Sequence, residues 1–397
     1  MSIFEHLGVA PIINAKGPST RLSGGLMRPE VAAAMAEAST RCVDIAELQA
    51  AASRAIAEVT GAEAGYVASG ASACLLLGTA AAVAGLDPGR MARLPDTRGM
   101  KNEVVMVRSQ RNLYDHAVRA AGVTIVEVGL PDRYAGAGVR DAEAWEIDDA
   151  ITERTAAVFY VADTQARPSL PEVVAVAKAR GVPVIVDAAA QLPPQSNLKR
   201  FIAEGADLVA FSGGKAIGGP QASGMLCGRR DLVMSAALQH LDMDNFFDAW
   251  EPPPSLIDKR RLRGLPQHGI GRTCKAGKEE IVGLLTALHL FVSEGDAVRH
   301  ARWLEAVRRI EAGLAKEPGL VTFVTGVDKA AVPILVIECS GTKMRASDLL
   351  IGLQHAKPAV FADPEQRDLN LVRINPMCLA PDEPELVTRA ILEALRR

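Results

Sequence analysis

The chain has 397 residues, with 44 Lys and Arg against 47 Asp and Glu, for a formal net charge of −3. That balance leaves no basic surface for nucleic acid or an anionic membrane, and the length suits two domains around a large core. Apolar residues make up 49% and aromatics only 4%, which fits an α/β fold packed on small side chains rather than a base-stacking protein. The six cysteines (Cys42, Cys74, Cys227, Cys274, Cys339, Cys378) form no CxxC pair and read as reduced thiols in a cytoplasmic protein. The seven histidines are dispersed, without HxxxH or a Cys/His cluster, so no metal is expected. The opening MSIFEHLG lacks a secretory pattern, and the longest low-polarity run, Leu75–Leu86, is too short to span a bilayer.

In chain order, Pro29–Thr60 has helical spacing, with Pro29 at a helix start. Strand-like apolar runs follow at Ala64–Ala68, Glu103–Val107, Val123–Val128, Ala156–Val161, Val182–Asp187, Ala206–Phe211 and Ala222–Cys227. Helix-length segments separate most of them, among them Tyr114–Ala121, Ala142–Thr152 and Leu170–Arg180. Strands that are apolar throughout and alternate with helices predict a seven-stranded, mainly parallel sheet covered on both faces. Phe246–His268, rich in Pro and Arg, reads as a long functional loop. Helices Lys278–Val292, Val298–Leu314, Ala346–Leu353 and Glu383–Leu395, with strands Val321–Thr325, Val332–Glu338 and Asn370–Ile374, predict a smaller α+β domain. The expected division is an N-terminal arm at 1–27, a large domain at 28–275, and an interdomain helix with the small domain at 276–397.

Ligands of such sheets sit at the carboxyl ends of the strands, and Ser69, Asp187 and Lys215 all fall at or just after strand ends. Lys215 stands in the glycine-rich turn of ADLVAFSGGKAIGGPQASGMLCG, and Asp187 ends the run VPVIV, 28 residues earlier. A lysine and a carboxylate on one rim are what pyridoxal 5′-phosphate (PLP) requires. The amine forms an imine with the aldehyde, as a Schiff base, and the carboxylate pairs with the protonated pyridine nitrogen. GYVASGASACLLLG reads as strand, turn and helix, so Ser69, Gly70, Ala71 and Ser72 lie at a helix N-terminus suited to a phosphate. Ser212 precedes Lys215 by three residues and reaches toward the same phosphate, while Ala189 or Gln191 would lie against a ring face. GGKAIGGP is not a Walker loop, because its lysine lacks the following Ser/Thr and the spacer.

These segments resemble fold-type-I PLP-dependent enzymes, in the group of selenocysteine synthase and D-glucosaminate-6-phosphate ammonia-lyase. FSGGKAIGGPQASGMLCGRRDLV is similar to the lysine-bearing segment of both. INAKGPSTRLSGG, DIAELQ, TGAEAGYVASGASA, LPDTRGMKNEVVM, VIVDAAAQ and GIGRTCKAGKEEIVGLLTAL are closer to the ammonia-lyase type. The resemblance implies Lys215 as the imine lysine, Asp187 as partner of the ring nitrogen, and Ser69–Ser72 with Ser212 around the phosphate. In the ring-facing segment RSQRNLYDHA (Arg108–Ala117), Gln110 stands where the ammonia-lyase pattern has a histidine, and His116 lies further along. Arg21, Lys101, Arg272, Lys275 and Arg373 are candidates for an anionic substrate group; Arg373 falls where this fold commonly places the arginine for an α-carboxylate. The resemblance further implies a homodimer or higher homo-oligomer with shared sites. No tRNA or other nucleic-acid partner is expected, since no basic patch replaces the tRNA-binding domain of selenocysteine synthase.

The activity expected is that of a PLP-dependent lyase on a small β-substituted, hydroxylated amino acid: Cα deprotonation, then β-elimination to a 2-keto acid and ammonia. Racemisation or epimerisation and aldol cleavage start from the same deprotonation or bond-breaking at Cα and stay open. A selenium-transferase-like enzyme and a PLP-fold protein without catalysis are further alternatives, the last opposed by intact Lys215 and Asp187.

Overall fold

Residues 3–130, 141–328 and 331–396 are described by a computed structural model, and they divide into two units. The larger unit comprises Arg28–Leu192 and Ser196–His289; the smaller gathers the N-terminal residues through Met27, Pro193–Gln195 and Leu290 onward.

The chain opens with a short helix α1 (Ile3–His6) and strand β1 (Ile12–Ala15), then enters the larger unit. The helical run expected over 29–60 is two helices, α2 (Pro29–Ser39) and α3 (Ile45–Thr60). The hydroxyls of Ser39 and Thr40 turn back to the carbonyls of Ala36 and Glu37. Asp44 then starts a new helix, its carboxylate accepting the amides of Ala46 and Glu47. The succession continues as β2 (Ala64–Ala68), α4 (Ala71–Ala84), α5 (Pro88–Arg93), β3 (Glu103–Val107), α6 (Asp115–Ala120), β4 (Thr124–Val128), α7 (Ala144–Ala150) and β5 (Thr155–Val161). It closes with α8 (Leu170–Ala179), β6 (Val184–Asp187), α9 (Asn197–Ala203), β7 (Leu208–Ser212), β8 (Gly224–Gly228) and α10 (Arg230–His240).

Seven of these strands form one sheet in the order β2-β8-β7-β6-β5-β3-β4. Its pairs are parallel except those of β8, which runs antiparallel to both β2 and β7. The reason is chain length: residues 213–223 are a tight turn, too short for the crossover that a parallel neighbour needs. β2 is an edge strand, and Gln49 of α3 covers it. The Gln49 amide donates to the Val67 carbonyl at 2.8 Å and accepts the Val67 N–H at 3.0 Å, so the open edge is satisfied internally. α4 is almost wholly buried and packs across the sheet, which explains why it shows no polar face in the sequence.

Helix α11 (Lys278–Leu314) contains Gly295 at φ +73°, a left-handed residue that interrupts it where the sequence suggests two helices. It is the one described helix long and apolar enough to cross a membrane, and that break divides it. The smaller unit has β9 (Val321–Thr325), β10 (Ile334–Glu338), α12 (Ala346–Gln354), β11 (Ala359–Ala362), β12 (Leu371–Ile374) and α13 (Glu383–Leu395). β12, β10 and β9 make an antiparallel sheet, and β1 pairs in parallel with β11, a partnership between distant segments that no local pattern announces.

Candidate active site

Because β2 and β7 are both antiparallel to β8, their carboxyl ends reach the same rim as those of β6, β5 and β3. Ala68 and Ser212 both pair with Gly224, so the turn after β2 and the turn after β7 are one strand apart. Asp187 ends β6, the next strand along. The sheet thus gathers Ser69–Ser72, Ser212, Lys215, Asp187, Ala189 and Gln110 along one rim of the larger unit.

Lys215 is half-buried in a turn tied by three backbone hydrogen bonds. Gly213 N–H donates to the Ser223 carbonyl, Gly219 N–H to the Gly213 carbonyl, and Gly218 N–H to the Lys215 carbonyl, at 2.9–3.0 Å. Gly213 has no room for a side chain: a Cβ would lie 2.2 Å from Ser223 Oγ and 2.6 Å from Leu284. Asp187 is 9% exposed, and its carboxylate accepts the Ala189 N–H at 3.0 Å. Burial raises the Asp187 carboxyl above the ordinary carboxylate range, and the charge of Lys215 opposes that rise. Burial lowers the Lys215 amine, and Asp187 opposes that fall. Each group is therefore the other's electrostatic partner.

Gly70 at φ +109° caps α4, so the N–H groups of Ala71 and Ser72 stand in the first turn, where a helix has no internal acceptors. Gln110, 8% exposed, follows β3; its Oε1 accepts the Val161 N–H at 2.9 Å, while its Nε2 is buried without a partner among the described residues. That orphan donor, the open amides of α4 and the coupled Lys215–Asp187 pair form a donor set that fits PLP: an amine, a carboxylate and N–H groups for a phosphate. Gln191 is half-buried, its side chain donating to the Ala162 carbonyl at 2.6 Å. His116 lies on the surface beside Arg119.

The basic candidates fall in both units. Arg272, in the 3₁₀ turn Ile270–Cys274, donates to the His240 carbonyl at 2.7 Å and lies 3.4 Å from Asp242. Lys101 and Lys275 are exposed. Arg373 and Arg21 belong to the smaller unit: Arg373 pairs there with Glu365 and Asp363, and Arg21 lies over the Phe361 ring at 5.3 Å. Sequence reasoning passed over Tyr66, Gly224, His240 and the carbonyl of Cys274, all of which back the turn after β2. The only signal was a histidine ending the segment LVMSAALQH, whose period puts it among core residues.

Fold and rim define a PLP-dependent enzyme of fold type I. Residues 31–243 match the family described as SelA: L-seryl-tRNA selenium transferase, and the chain belongs to that family. It is 32% identical, over 99% of its length and 92% of the relative's, to the 5′-C-glycyluridine monooxygenase-decarboxylase of a Streptomyces species. It is 31% identical to the D-glucosaminate-6-phosphate ammonia lyase of Salmonella typhimurium, over 99% of this chain and 97% of that one. A solved structure of D-glucosaminate-6-phosphate ammonia-lyase superposes with a TM-score of 0.81 at 29% identity, covering 100% of this chain and 98% of the other.

Proposed function

We propose that this chain is a PLP-dependent lyase that converts a small β-substituted, hydroxylated amino acid to a 2-keto acid and ammonia. The observation that carries the reading is the placement of Asp187 at the end of β6 and Lys215 in the turn after the neighbouring β7, on the same rim as the N-terminus of α4. When bound, PLP supplies an aldehyde for the substrate amine and a ring that withdraws electrons from Cα. Asp187 would hold the ring nitrogen, because a cation there supplies the charge compensation that burial takes away. Lys215 would carry the cofactor and, once displaced by the substrate amine, take the Cα proton at Nζ. An amine held below its ordinary range is more readily neutral, as a general base must be. The N–H groups of Ala71 and Ser72, with the hydroxyls of Ser69, Ser72 and Ser212, would receive the phosphate, and Gly70, whose own N–H donates to the Ala68 carbonyl at 2.8 Å, would leave it room. Gln110, Ala189 and Gln191 would face the ring, and Lys101 and Arg272 of the same unit are proposed contacts for anionic substrate groups.

In the elimination the Cα–H and Cβ–O bonds break, and the Cβ oxygen leaves as water. Hydrolysis at Cα then gives the 2-keto acid and ammonia, with no net oxidation. The full-length likeness to an ammonia lyase supports this outcome. The equally long likeness to a monooxygenase-decarboxylase favours a second reading, in which the bond from Cα to the carboxylate breaks. One experiment separates them: PLP-loaded protein is mixed with D- and L-amino acids, hydroxylated and phosphorylated ones included. Absorption, ammonia, keto acid, carbon dioxide and oxygen are followed together. Ammonia with a keto acid supports the lyase; carbon dioxide with oxygen uptake supports the second reading; a protein that takes up no PLP sinks both.

A further inference from the structure

Behind the turn after β2 lies a buried polar chain that the reaction itself does not use. Tyr66 on β2 is fully buried, and its Oη lies 2.8 Å from His240 Nδ1. His240, the last residue of α10, is 2% exposed and reaches the Cys274 carbonyl with Nε2 at 2.9 Å. A carbonyl only accepts, so Nε2 carries the proton; Nδ1 then accepts the Tyr66 hydroxyl proton, and a single neutral tautomer satisfies both contacts. Burial pushes the imidazole down to about 4, consistent with that neutral form. The two rings meet edge-on, 5.2 Å between centroids at 82°.

The Cys274 carbonyl has a second donor, the N–H of Ser69 at 3.2 Å. Ser69 is the first residue past the β2 ladder, so this bond determines how the chain leaves the strand to reach Gly70 and the N-terminus of α4. Arg272 closes the arrangement by donating to the His240 carbonyl at 2.7 Å. The turn is thus held at Ser69 by the Cys274 carbonyl and at Gly70 by the Ala68 carbonyl, and the first of these two acceptors is itself held by one imidazole.

We propose that His240 is a positioning residue for the phosphate-binding turn: through Cys274 it holds Ser69, and with it the open amides of α4, in the arrangement that receives a phosphate. The proposal rests on the PLP reading of that turn. It assigns His240 no contact with the ring or the reacting atoms, so its loss should weaken recognition of the phosphate and spare the rest of the cofactor.

The test is a titration of apo-protein with PLP and, separately, with pyridoxal, which lacks the phosphate. His240→Leu is expected to raise the PLP Kd about tenfold, the effect of one hydrogen bond to the turn's support, with the pyridoxal Kd unchanged. His240→Gln, whose amide can donate to the Cys274 carbonyl, should return PLP binding to within about threefold of wild type. Tyr66→Phe, which leaves the imidazole but frees its tautomer, should raise the PLP Kd about threefold, again without affecting pyridoxal, and serves if His240→Leu does not fold. Equal losses for both ligands, or unchanged PLP affinity in the folded variants, overturn the positioning role while leaving the PLP reading intact. Wild-type protein that binds neither ligand overturns the PLP reading and this inference with it.

Discussion

At Gly224 the rim has no room for a side chain, and the obstacle is backbone. Gly224 pairs with Ala68 on one side and Ser212 on the other, and a methyl group there would lie 2.3 Å from the Gly70 carbonyl carbon, 2.5 Å from Ala71 N and 2.7 Å from Gly70 O. All three are backbone atoms of the turn after β2, so no side-chain rotation relieves the overlap. Restoring an ordinary contact of 3.4 Å from 2.3 Å requires the turn to retreat by about 1 Å. Overpacking of this kind destabilises by about 1–3 kcal/mol, and a misplacement of about 1 Å at a binding group can lose on the order of 100-fold in function. Gly224→Ala is therefore expected to fold, to lose about 1–3 kcal/mol in urea unfolding, and to bind PLP roughly 10- to 100-fold more weakly. Gly264→Ala is the control, since a Cβ there meets nothing within 4 Å among the described residues; it should stay within about 0.5 kcal/mol of wild type and bind PLP normally. A Gly224→Ala protein that binds PLP with wild-type affinity would refute the assignment of this turn.

Replacing Lys215 with Ala should leave no cofactor on the protein after borohydride reduction, while wild type retains it, as read by mass spectrometry; added small amines should restore part of the activity. Asp187→Asn tests the buried charge. The folded state raises the carboxyl's pKa, so the stability linked to Asp187 is full below its unfolded value of about 4 and is lost as pH rises through the raised folded value. The Asn apo-protein should thus be the more stable of the two at pH 7, with the gap closing toward pH 4. Chemical unfolding at both values checks this, and a variant less stable than wild type at pH 7 contradicts it. Gln110→Leu removes the acceptor of Val161 N–H together with the orphan Nε2, two opposing changes of about 1–3 kcal/mol each that leave the apo-protein near wild type. The rise in Tm on adding PLP should be smaller in that variant, and an unchanged rise would argue that Nε2 finds no partner in the cofactor.

The strands that carry the rim were legible because burial on both faces leaves them apolar from end to end, as in VIVD and DLVAFS. For the same reason Asp187 and Lys215 stood out, as charged groups beside strands with no water to spare. The direction of β8 was not legible, since an apolar run reads alike either way; the short turn at 213–223 decides it. Nor did the sequence reveal that Gln110 divides its amide, one end on Val161 and the other orphaned, because that depends on which backbone groups β5 leaves open beside β3.

Residue types and their periods determined the α/β class, the two coupled ionisable groups and the small-residue turn, because each is a local consequence of what can be buried. Tertiary structure alone decided the contacts between distant segments: β1 beside β11, Gly224 against Gly70, and His240 between Tyr66 and Cys274. Such contacts have no local signature. A glycine, a histidine or a carbonyl looks the same along the chain whether it faces solvent or supports a binding turn, and only the packed sheet determines which.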